Sequence, residues 1–174
     1  EESLLKAIRS LEDGKNHIHL EKFDVKSLSD KPEPENKKEA IDKLLKYIEE
    51  GTDYRIYALS QIIWLGVDLQ VVAERTGIDM FFLDKIKNIV DFEKRIEECA
   101  KNSASKAPEE MLSRELLYEA KRMGFSDSYI AEMTELTEDD IWQLRKKYDI
   151  KPVYKMIDTC ASEFESYVPY FYST

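Results

Sequence analysis

Glycine, proline, cysteine and histidine are all scarce in this chain: five, five, two and two among 174 residues. Each scarcity excludes something. The few glycines fall where helical patterns stop, so neither a GxGxxG turn nor a GxxxxGK[ST] loop is present to cradle a phosphate. Two cysteines, Cys99 and Cys160, make no disulfide framework, and a reducing cytoplasm is the compartment they fit. His17 and His19 would share one face of a strand, with Glu21 the only nearby carboxylate on that face. Zinc needs a fuller set of ligands. A solvated strand edge is the expectation there. No apolar run approaches the roughly 20 residues of a membrane span. The opening EESLLKAIRS also lacks the basic and apolar regions of a signal peptide.

What is abundant is charge and helix-forming pattern. The chain is 43% hydrophobic and 36% charged, with a formal net charge of −10. That is the profile of a soluble helical domain, and its size allows one domain that buries roughly 70% of its unfolded surface. Nucleic acid would be repelled unless a basic patch offset the rest. The longest basic cluster, Arg145-Lys146-Lys147, sits at the end of an expected helix, where cations complement the carbonyl end of the dipole.

Residues 3–12 carry Leu4, Leu5, Ile8 and Leu11 on one side of a short amphipathic helix. A charged, Pro-containing connector without helical period follows. From residue 36 the pattern is helical almost without a break. Ala40, Ile41, Leu44, Leu45 and Ile48 mark one face before Gly51; Ile56, Leu59 and Ile63 mark the next before Gly66, with Asp53 as its expected cap. Asp68 and Asp79 open two further helices, the second the longest, with Phe82, Ile86, Ile89 and Ile96 at helical spacing. Pro108 suits a first turn, and Leu112, Leu116, Ala120 and Met123 continue as one helix to Gly124. Ser126 and Thr137 cap the last two, Thr137 with Asp140 forming a capping box. After Tyr148 the period vanishes into an aromatic, extended tail.

Two stretches, DLQVVAERTGIDMFFLDKI and SDSYIAEMTELTEDDIWQLRKKY, form a weak internal repeat with the outline of a helix-turn-helix. In such a motif the second helix begins at the bases. Here those positions hold Glu138, Asp139 and Asp140 in one copy and Asp79, Met80, Phe81 and Phe82 in the other, which argues for packing rather than DNA reading. Cys160 stands between Asp158 and Glu163. Acidic neighbours raise a thiol pKa, and no histidine lies near in sequence, so a nucleophile is not expected. Cys99 follows the apolar face of its helix and reads as a small hydrophobe. Asp139 and Asp140 are adjacent, diverge on a helix, and serve its dipole. No catalytic, cofactor or metal residue is expected in these 174 positions.

The tail carries more. PVYKMIDTCASEF, followed by PYFYST, resembles a segment in the middle of the large subunit of carbamoyl-phosphate synthetases: Pro152, Val153, Tyr154, Lys155, Asp158, Thr159, Cys160, Ala161, Glu163 and Phe164. The likeness runs backward in order through KRMGFSDSYIAEMTELTEDDIWQLRKKYDI, IDMFFLDKIKNIVDFE, EEGTDYRIYALSQIIWLG and LLKAIRSLEDG. It thus covers essentially the whole chain. Met156 and Lys151 depart from the bacterial pattern, which more often has a basic residue and a histidine there. The resemblance implies a central helical oligomerization domain between two ATP-grasp halves. The parent is then a cytoplasmic ligase that uses ATP with Mg or Mn, bicarbonate and glutamine-derived ammonia to make carbamoyl phosphate for arginine or pyrimidine biosynthesis. It also implies a glutamine amidotransferase small subunit as partner.

The expectation is therefore a mostly all-α, irregular multi-helix bundle with short helical hairpins, an extended N-terminal connector and an extended aromatic C-terminal tail. Residues 1–14 would trail from the preceding half, 15–35 connect, 36–150 form the helical domain, and 151–174 lead into the second half. The candidate partner surfaces are Leu4, Leu5, Ile8 and Leu11 at one end and Tyr170, Phe171 and Tyr172 at the other, with Phe81, Phe82 and Trp142 for self-association. The rival expectation is a stand-alone helical regulator that binds protein or nucleic acid through its hairpins. Neither nucleic acid nor membrane is an expected partner on the first reading.

Overall fold

The computed structural model of the chain describes residues 1–11, 14–19, 34–102, 107–156, 163 and 171–173. In order, the helices are α1 (Glu2–Arg9), α2 (Pro34–Glu49), α3 (Arg55–Trp64), α4 (Leu69–Thr76), α5 (Met80–Lys101), α6 (Pro108–Met111), α7 (Arg114–Met123), α8 (Asp127–Thr134) and α9 (Glu138–Lys147). Two short strands follow, β1 (Tyr154–Met156) and β2 (Phe171–Ser173), paired antiparallel. The mostly α, multi-helix architecture is the one expected.

The long α5 is the spine. Its 22 residues span about 33 Å, and α3, α4, α7 and α8 all pack on it. The reason lies in its sequence: Leu83, Ile86, Ile89, Val90, Phe92, Ile96 and Ala100 are buried on faces that recur at helical spacing. On one side α2 covers α3 and α4; on the other, α9 covers α8 and touches α6. Helix α3 is buried from Tyr57 to Trp64, as a helix must be when it is apolar all round. One continuous core joins both sides, and it includes Leu5 and Ile8 of α1 and Ile18 of the segment after it.

The two repeat-like stretches fold as two matching hairpins. Helices α4 and α8 have eight residues each, and a three-residue turn follows both. Asp68 and Ser126 cap their starts through the side chain. Thr76 and Thr134 both return their hydroxyls to the carbonyl four residues back, at 2.7 and 2.8 Å. Gly77 and Glu135 both take left-handed backbone, and Asp79 and Thr137 cap the second helices. The capping box of Thr137 and Asp140 is present in full.

Four local expectations change. Asp53 does not cap α3: Tyr54 holds that position, and Asp53 Oδ1 only accepts from its N–H at 3.1 Å. The helix expected from Pro108 to Gly124 breaks into α6 and α7, because Leu112 is extended (φ −123°, ψ 97°) and Ser113 starts a new helix by accepting from the Leu116 N–H. The Tyr148 hydroxyl holds the break by donating to the Leu112 carbonyl at 3.1 Å. Pro34, rather than residue 36, opens α2. Finally, residues 14–19 form bends instead of a strand, and His19 is not solvated.

Candidate functional site

His19 is buried, and its ring sits between two helices. Nε2 lies 2.6 Å from Oε2 of Glu93 on α5, and Nδ1 lies 2.7 Å from the Gln61 amide nitrogen on α3. With the amide donating to Nδ1, the Nε2–H donates to the Glu93 carboxylate, since a neutral imidazole has one donor and one acceptor. Glu93 is wholly buried, and its other oxygen has no hydrogen-bond partner among the described residues. Burial, reinforced by the Glu93 charge, pushes the Tyr129 hydroxyl well above the usual tyrosine pKa. His17 stacks on the Tyr129 ring at 4.6 Å between centroids. Burial holds its pKa below the ordinary histidine value. Ser60 donates to the Ile18 carbonyl, which fixes the backbone of the same segment. The expected solvated edge is thus a clamp. The sequence signal for it was weak: Glu93 falls at helical spacing with Ile86, Ile89, Val90 and Ile96 on an otherwise apolar face, and Gln61 sits within the largely apolar α3.

This cluster offers no open site for chemistry, because His19, Gln61 and Glu93 are all buried. Among the described residues, no group of three or more His, Cys, Asp or Glu side chains is placed to hold a metal ion. Cys99 is half-buried against the core. A cleft of about 400 Å³ beside α1, α5 and α7 is lined by Glu1, Asn88, Arg95 and Glu119. Their polar groups meet each other across it: Arg95 reaches Glu119 and Asn88 reaches Glu1, both at 2.8 Å.

The exposed apolar residues are the more informative set. Phe81 and Phe82, at the start of α5, are 60% and 61% exposed and meet edge to face with Met80 exposed beside them. Lys85 lies over the Phe81 ring at 5.1 Å; Trp142 on α9 is less exposed, at 44%, with Arg145 and Lys146 over its ring at 5.3 and 4.9 Å. At the N-terminus the expectation is corrected. Leu5 and Ile8 are buried in the chain's own core and Leu4 packs against it, so only Leu11 remains exposed. The cause is close docking of α1: Arg9 donates to the Gly124 carbonyl at 2.6 Å, and a Cβ on Gly124 would stand 2.9 Å from the Glu2 Cα.

At the other end Pro152, Val153, Tyr154, Lys155, Phe171, Tyr172 and Glu163 are exposed. Asp158, Thr159, Cys160, Ala161, Phe164 and Tyr170 lie outside the described residues, and with them the expectation for the Cys160 thiol.

The family model described as "Carbamoyl-phosphate synthetase large chain, oligomerisation domain" matches residues 1–149. The chain belongs to that family. A carbamoyl phosphate synthase large chain from Clostridium beijerinckii is 41% identical over all 174 residues, which span 14% of that protein's length. The oligomerisation-domain match takes in α1 as well as the helical body, in keeping with α1 sharing its core. It stops before β1, while the likeness to the Clostridium large chain runs on through β2.

Proposed function

We propose that these residues act as an oligomerisation and spacer unit within a carbamoyl-phosphate synthetase large chain. On this reading two ATP-grasp halves flank the unit. The whole enzyme is a cytoplasmic, ATP-dependent ligase that uses Mg or Mn and pairs with a glutamine amidotransferase small subunit. The unit itself then supplies no catalytic group. Carbamate and carboxyphosphate are labile, and a helical block with one continuous core suits the task of holding two remote sites in fixed relation.

The observation that carries self-association is the contrast between the matching hairpins. At the positions where α9 holds Asp139 and Asp140, α5 holds Phe81 and Phe82. The second hairpin takes the same form with carboxylates there, so the hairpin shape does not call for the aromatics. Adjacent exposed aromatic rings are what a partner surface uses. Trp142 is the weaker candidate: it is less exposed, at 44%, and carries two cations over its ring where Phe81 carries one, Lys85.

The test is the molar mass of residues 1–174 in solution across a concentration series, for the natural sequence and for Phe81→Asp with Phe82→Asp. The natural chain is expected to associate and the variant to stay monomeric at every concentration, with the same helical signal. Equal masses for the two would remove the aromatic pair from the interface.

A further inference from the structure

His17 and His19 share the segment of residues 14–19, yet only His17 has a ring nitrogen closed to a proton. The His19 backbone N–H donates to Nδ1 of His17 at 3.1 Å. A backbone N–H can only donate, so Nδ1 keeps its lone pair and the His17 ring is neutral in this seat. The ring also stacks on Tyr129 of α8, 4.6 Å between centroids and 29° between planes. Burial is the main cause that holds its pKa below the ordinary histidine value, and His19 and Lys15 act in the same direction. Glu132 on α8 and Glu93 on α5 act against them. His19 carries no such constraint, because its ring nitrogens face the Glu93 carboxylate and the Gln61 amide rather than a backbone donor.

We propose that residues 14–19 form an acid-sensitive latch: a proton on His17 Nδ1 breaks the bond from the His19 N–H and loosens the segment from α8 while the helical body stays folded. His17 is half-buried, so solvent can deliver that proton. On either side of it the segment is fastened to a different element. Asn16 donates to the Ser128 hydroxyl of α8 at 2.9 Å, and the carbonyl of the buried Ile18 accepts from Ser60 of α3. A ring held neutral in the seat, and free to charge once released, leaves the seated state with fewer protons than the open one. Seating is therefore complete above the free histidine pKa of about 6.5. It weakens as pH falls, by up to about tenfold per pH unit until the seated ring itself takes the proton. The latch governs how firmly the segment after α1 is held to α3, α5 and α8. It goes beyond the oligomerisation reading and does not depend on it.

NMR of the histidine rings and amide exchange of the 174-residue chain, both from pH 8 to pH 5, test this. The His17 ring is expected to titrate below the free histidine value. The protection factor of the His19 amide, already corrected for the intrinsic pH dependence of exchange, should fall about fivefold or more between about pH 7 and 5. Amides of α5 should keep their protection over the same range. His17→Phe keeps a ring to stack on Tyr129 but has neither acceptor nor proton. Its His19 amide should be less protected at neutral pH, and that protection should stay level down to about pH 5. An equal fall in His17→Phe would assign the proton to another group and overturn the latch. A His17 ring that titrates at or above the free value overturns it without any variant. So does α5 losing protection in step with His19, since the acid effect would then be general unfolding. No readout involves Phe81 or Phe82, so failure here and failure of the self-association reading are told apart.

Discussion

Glu135 holds a backbone position that its counterpart in the first hairpin gives to glycine: φ is 57° at Glu135 and 69° at Gly77. The left-handed region brings Cβ against the carbonyl and costs roughly 1 kcal/mol or more for a residue other than glycine. The turn keeps this shape because it ends α8 with a bond from the Leu136 N–H to the Ala131 carbonyl at 3.1 Å, leaving Leu136 packed on the core. Glu135→Gly should therefore stabilise the chain by about 0.5–1 kcal/mol, after allowing for glycine's added freedom in the unfolded state. The readout is a higher urea midpoint at unchanged slope; no rise would show that the Glu135 side chain offsets its strain. Gly77→Ala should do the opposite by a similar amount. A Cβ there meets nothing within 4 Å, so its cost is backbone alone. Gly124 is a different case, since a Cβ would strike α1 as well as strain the turn.

At the scale of elements, the clamp around His19 fastens the bends of residues 14–19 to α3 and α5 at once. Its cost is a fully buried carboxylate with one oxygen engaged by His19 and the other without a hydrogen bond among the described residues. His19→Ala should destabilise the chain by about 3 kcal/mol, because it strands Glu93 in the core. His19→Leu combined with Glu93→Leu should come within about 1 kcal/mol of the natural chain, since two apolar side chains of similar volume need no partner. Urea unfolding of the single and double variants measures this coupling. An additive double variant would mean that the pair does not act as a unit.

Sequence made other elements far more legible than this one. Asp68, Asp79, Ser126 and Thr137 announce themselves because a cap is local: a side chain bonds a backbone N–H two or three residues away. Helical period gave the core face of α5 for the same reason. The clamp joins residues separated by 42 and 74 positions, and no local pattern reports such a contact. The break at Leu112 is tertiary too, held by Tyr148 from α9's far end. The interface expectation for α1 failed at Leu5 and Ile8 because amphipathicity says that a face must be covered without saying by what. Phe81 and Phe82 carry the same ambiguity in sequence. Their exposure, set against Asp139 and Asp140 in the matching hairpin, is what distinguishes them.

For the whole molecule, charge decides how association should respond to salt. Each copy carries a formal −10, so bringing two together works against long-range repulsion even when the touching faces are aromatic. Added salt shortens the Debye length from about 30 Å at 0.01 M to about 10 Å at 0.1 M and removes most of that repulsion. Kosmotropic anions also strengthen apolar burial. Self-association through Phe81 and Phe82 should therefore tighten several-fold as salt rises from about 0.01 to about 0.3 M, where the Debye length falls below 10 Å. Sedimentation equilibrium at a few salt concentrations reads this directly. The rival regulator reading predicts the reverse dependence for its ligand, because counterion release makes duplex affinity fall with salt. In that reading the second helix of a hairpin would meet the phosphates, and α9 begins with Glu138, Asp139 and Asp140. Association that weakens with salt would mean that ion pairs between copies, rather than aromatic burial, hold the assembly. Duplex binding that is tight in dilute buffer and lost on adding salt would move the function from joining subunits to reading nucleic acid.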